Sequence, residues 1–70
     1  MHLRTAEERH VTTGMALAAV VIMNTHGAGM LAKEILGHAG VLTAEDVRTL
    51  VRVCKLTDFD LEHMLDALNN

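Results

Sequence analysis

Three times in 70 residues the chain repeats one short pattern, a threonine followed three positions later by an acid: Thr5-Ala6-Glu7-Glu8, Thr43-Ala44-Glu45-Asp46 and Thr57-Asp58-Phe59-Asp60. Each reads as a helix start. The threonine oxygen can accept from the backbone N–H three residues on, and the acid is favoured at the positive end of the helix; Asp is a shorter substitute for the usual Glu. Two of the three sites also carry apolar residues spaced as a hydrophobic staple, Leu42 with Val47 and Leu56 with Leu61.

The stops are equally local. Asn24-Thr25-His26-Gly27 ends the first helical stretch, and Gly40 follows the second where a left-handed residue is wanted. The sequence therefore predicts helices over about Ala6 to Met23 or Asn24, Ala28 to His38, Ala44 to Leu56 and Asp58 to Leu68, even though Gly14 costs up to ~1 kcal/mol inside the first. The expected fold class is all-α: a small bundle of three main helices plus a short fourth, forming a single domain over residues 1–70.

Composition removes most other classes. With no proline and five glycines, collagen-like and proline-rich chains are excluded. Half the residues are apolar and the net charge is only -3, the reverse of the disorder signature. One cysteine, Cys54, forms no internal disulfide, so a reducing, cytoplasmic setting is expected. The longest uninterrupted apolar run, Met15 to Met23, has nine residues, whereas a membrane span needs about 20. Arg4 and Arg9 are offset by Glu7 and Glu8, and no clean small-x-small cleavage site follows, so no secretory signal is expected.

The helical stripes differ in width. Leu61, Met64, Leu65 and Leu68 form one stripe, and Val47, Leu50, Val51 and Cys54 form another. The first helix carries Val11, Met15, Ala19 and Ile22 on one side and Leu17, Val20 and Val21 on the other, and its second half is apolar all round. Three short helices do not cover both sides, and a chain of this size has little core to spare. A helical homodimer is therefore expected, with Val11, Met15, Leu17, Ala18, Val21 and Ile22 at the interface and the small residues Gly14, Ala16, Ala18 and Ala19 permitting close approach.

Motifs for chemistry are weak. Gly27-Ala28-Gly29-Met30-Leu31-Ala32 after Val20-Val21-Ile22-Met23 mimics a dinucleotide-binding turn, but the chain lacks the length for the remaining sheet, and a glycine hinge whose following helix end attracts an anion weakly is the better reading. His2, His10, His26, His38 and His63 show no metal-ligand spacing with one another or with Cys54, and Cys54 sits on an apolar stripe as a packing thiol. No metal, cofactor, small-molecule substrate or catalytic group is expected, and the chain does not read as an enzyme.

The chemical variety lies toward the C-terminus. Arg48, Arg52 and Lys55 form a basic ridge on the third helix, whereas the last 13 residues hold Asp58, Asp60, Glu62 and Asp66 with no base. Phe59, the only aromatic residue, lies off the apolar stripe of its helix, so it either folds back onto the third helix or is displayed as an anchor. Arg48, Arg52, Lys55, Phe59, Asp58, Glu62 and Asp66 are thus the expected partner surface of a small cytoplasmic regulator or adaptor acting by protein–protein contact, for instance an inhibitor of a larger host protein. The alternative is nucleic-acid binding through the basic ridge, against which stands a pI near 5.9.

Overall fold

The computed structural model describes residues 1–70. Its four helices are α1 (Ala6–His26), α2 (Gly29–His38), α3 (Ala44–Cys54) and α4 (Asp58–Leu68), with no strand between them. One long helix and three short ones of nearly equal length replace the expected three main helices and short fourth.

All three threonine sites close as reciprocal caps. The Glu8 N–H donates to Thr5 Oγ1 and the Thr5 N–H to Glu8 Oε1, both at 3.1 Å. Thr43 and Asp46 exchange the same pair of bonds at 3.1 and 3.2 Å, and Thr57 and Asp60 exchange theirs at 3.2 Å. Aspartate reaches as far as glutamate does here. Asp46 does more than close its cap, because its Oδ2 also accepts the Leu42 N–H at 3.0 Å. The staples come out unequal: Leu56 is half-buried against the core, while Leu42 is 69% exposed and lies toward Gly37.

Two helix ends depart from expectation. α1 continues through Asn24, Thr25 and His26 until Gly27, at φ 62°, turns left-handed and donates its N–H to Met23 O. α3 stops two residues early. Lys55 adopts φ 54°, the only non-glycine residue with positive φ, and the Leu56 N–H closes back onto Val51 O at 3.0 Å. That conformation costs roughly 1–2 kcal/mol for an L-residue, offset by turning Leu56 into the core.

α1 lies against α2 and α4, and α3 packs on α4 and barely meets α1, in a molecule measuring 31 × 21 × 19 Å. The core joins Ala16, Ala19 and Val20 of α1, Ala32 and Leu36 of α2, Val41 of the connecting loop, Val47 and Leu50 of α3, and Met64 and Ala67 of α4. Four of these ten are alanines, so the helices meet through small side chains. The side of α1 facing the core is Thr12, Ala16, Ala19 and Val20. Ala19 and Val20, assigned above to opposite sides, share this buried face, because α2 and α4 close on α1 from two directions.

Candidate functional site

The core takes Ala16, Ala19 and Val20 of α1 and leaves three large aliphatic residues outside. Val11 is 60% exposed, Val21 59% and Leu17 37%; Ala18 is exposed, and Met15 and Ile22 are half-buried. All six sequence-expected interface residues therefore lie wholly or partly outside the core. A methyl group built on Gly14 would meet no heavy atom within 4 Å, so the face is open at its middle. No Asp, Glu, Lys or Arg occurs between Arg9 and Lys33. A helix surface of this length without a charge is unusual for water-facing structure. Loose folding does not account for it, since the accessible surface of 4404 Å² is close to the ~4,300 Å² of a compact chain of this mass.

Beside the N-terminal half of this face is a cleft of about 370 Å³. Val11, Met15 and Ala39 supply its apolar lining, and His2, Glu7, Glu8 and His38 its polar rim, with Thr12 at the base. Thr12 is only 5% exposed. Its hydroxyl makes no hydrogen bond within the chain, yet no buried polar atom is left unsatisfied, so that oxygen still reaches solvent through the cleft. The cleft exists because the N-terminal arm folds back: Arg9 Nη1 donates to Leu3 O at 3.2 Å and to Arg4 O at 3.4 Å. His2 Nδ1 comes within 3.9 Å of Glu8 Oε2, the only ion-pair contact in the molecule. Sequence reasoning missed this grouping, whose members are joined by tertiary contacts and by no spacing motif.

The second candidate surface spans α3 and α4. Arg48 and Arg52 on α3 are exposed, as is Lys55, which the early stop of α3 puts past the helix end and out of the expected helical ridge; Asp58, Phe59, Glu62 and Asp66 are exposed too, and none of these charges pairs with another. Phe59 is displayed rather than folded onto α3. It is 51% exposed, with its ring 4.1 Å from that of His63, and His63 Nδ1 stands 2.8 Å from Phe59 O. A carbonyl only accepts, so Nδ1 carries the hydrogen and the imidazole is fixed against the ring. The Asp46 carboxyl at the start of α3 is held below the usual carboxylate range, chiefly by the Leu42 N–H, with burial opposing and the Thr43 N–H and hydroxyl assisting.

Other sequence readings change on placement. Cys54 is half-buried at the edge of the core, so the thiol is less enclosed than its stripe suggested. The segment Val20–Met23 is helical and belongs to α1, which removes the strand required by a dinucleotide turn. The start of α2 is not open to an anion: Gly29 is buried, a side chain there would run into the Asn70 amide, and Asn70 O accepts from Lys33 Nζ at 2.8 Å. No three His, Cys, Asp or Glu side chains converge as metal ligands, and no helix is long and apolar enough to cross a membrane. Comparison with protein-family models, curated proteins and solved structures finds no match to this chain.

Proposed function

We propose that the protein is a small homodimeric regulator or adaptor that acts by protein–protein contact and not by catalysis. One observation carries this reading: the outer face of α1, with Val11, Leu17, Ala18 and Val21 exposed and no charge along it, is apolar surface that one chain leaves uncovered. Covering such a face with a second copy removes it from water at a gain of ~25 cal/mol per Å² before the cost of association. The α3–α4 surface is then free for a different partner, such as a larger host protein that the dimer inhibits. Its exposed cations and acids set orientation, and Phe59 serves as the anchor. Light scattering at micromolar concentration tests the dimer; a particle of about twice 7.6 kDa is expected, and a 7.6 kDa particle contradicts it.

The exposed, unpaired cations Arg48 and Arg52 of α3 and Lys55 just past its end favour nucleic-acid binding as the second reading. The acids of α4 oppose it, because they place like charge near the phosphates. Fluorescence anisotropy with a labelled DNA duplex separates the two: phosphate binding falls steeply with salt, and no binding at low salt removes this reading.

A further inference from the structure

We propose that the second copy docks antiparallel along α1, Gly14 of each protomer meeting Ala18 of the partner subunit, and that the N-terminal cleft receives Ile22 of the partner subunit. The inference rests on α1 being the self-association face and fixes the orientation and register of that contact.

The first argument is the pattern of the face. Glu7, Val11, Gly14, Ala18, Val21 and Thr25 alternate four and three residues apart, the spacing of a seam between two helices. Read from either end, the middle is valine, small, small, valine. A two-fold interface must be its own complement. Pairing positions that sum to 32 sets Val11 on Val21 of the partner subunit and Gly14 on Ala18 of the partner subunit, with the small residues at the closest approach.

Charge then selects the direction. α1 has Glu7 and Glu8 in its first turn and His26 in its last. A parallel pair stacks Glu7 and Glu8 on their own copies and aligns the two helix dipoles. The antiparallel pair brings the acids toward His26 of the partner subunit and opposes the dipoles.

The cleft supplies the third argument. Helical periodicity puts Met15, Ile22 and His26 on the same flank of the seam as the cleft. A two-fold axis normal to the helix pair keeps that flank on the same side in both protomers. The register brings Ile22 of the partner subunit level with His10, over the apolar lining of Val11, Met15 and Ala39. His26 of the partner subunit arrives beside the Glu7 and Glu8 carboxylates on the rim. A parallel two-fold pair instead puts the two clefts on opposite flanks of the seam, each level with His10 of the partner subunit and out of reach of its Ile22.

Disulfide trapping in a Cys54→Ala background tests the arrangement. Val11→Cys with Val21→Cys in one chain is expected to cross-link rapidly into dimers under mild oxidation, while each single variant does not. A disulfide needs Cα atoms within about 7 Å, and two copies of residue 11 lie about 15 Å apart along the antiparallel axis. Cross-linking of the single variants while wild type scatters as a dimer overturns the antiparallel direction alone; a wild-type particle of 7.6 kDa overturns the dimer beneath it. For the cleft, Ile22→Ala is expected to weaken association about tenfold, and more than Leu17→Ala on the opposite flank. Equal weakening by the two overturns the seating of Ile22.

Discussion

Helix α3 buries Val47 and Leu50 and turns Arg48 and Arg52 to water, whereas α1 buries Thr12, Ala16, Ala19 and Val20 and turns Val11, Leu17, Ala18 and Val21 to water. The first leaves Val53 as its one exposed aliphatic side chain. The second divides differently: Thr12, two alanines and Val20 face the core, while Val11, Leu17 and Val21 face out. Bringing α2 and α4 close to α1 favours small residues at Ala16 and Ala19 on the inner side, and Val11, Leu17 and Val21 stay outside the monomer core. Under the proposed dimer the contrast separates residues that hold the monomer together from residues that would hold two copies together, and substitutions on the two helices test that division.

The largest effect belongs to the inner side of α3. Leu50 is fully buried, and Leu50→Ala is expected to cost about 3 kcal/mol, a large part of the stability of so small a domain; urea unfolding followed by circular dichroism measures it. On the outer side of α1, Ala18→Glu is expected to weaken dimerisation about 100-fold by burying an unpaired charge at the interface. Because Ala18 is exposed in the single chain, the separated monomer keeps its helical spectrum. Loss of helix in the isolated monomer of that variant would mean that Ala18 serves the fold.

Smaller effects sharpen the account of α3 as a self-contained helix. Thr43→Ala removes the cap oxygen that accepts the Asp46 N–H and is expected to cost about 1 kcal/mol in the same unfolding assay. The reciprocal acid contributes a pH dependence. The Asp46 carboxyl is held below its usual range in the folded chain, so its contribution is present above the unfolded value near 3.9 and lost as pH falls through the folded one. Asp46→Asn is therefore expected to be less stable than wild type at neutral pH, by a margin that shrinks below about pH 4; a margin constant to lower pH contradicts that role. The smallest change is expected for Arg48→Glu with Arg52→Glu, which leaves stability within about 0.5 kcal/mol and dimerisation intact. Charge is thus expected to be harmless on the outer face of α3 and disruptive on that of α1.

Local chemistry explains which parts of this arrangement were legible in the sequence. The caps at Thr5, Thr43 and Thr57 and the left-handed glycines Gly27 and Gly40 depend on neighbours within a few residues, and the number and type of helices follow from them. The early end of α3 was hidden because Lys55 carries no turn signal, and only the burial of Leu56 makes its conformation worthwhile. The inner side of α1 was hidden for a different reason: in a stretch apolar all round, periodicity has no contrast to read, and packing against α2 and α4 makes the choice. The cleft depends on an arm held by Arg9, and the covering of Gly29 depends on Asn70 at the far end of the chain. The position of Phe59 off its stripe was visible, but its display required knowing that α3 packs elsewhere on α4.

Sedimentation equilibrium of wild type and Ala18→Glu, across the micromolar range and at one salt concentration, tests the division between the two helices most directly. The account predicts that wild type approaches about twice 7.6 kDa as concentration rises while Ala18→Glu stays at the single-chain mass with the same helical content. A wild-type chain that remains at 7.6 kDa throughout would contradict it, and the outer face of α1 would then not be a self-association surface.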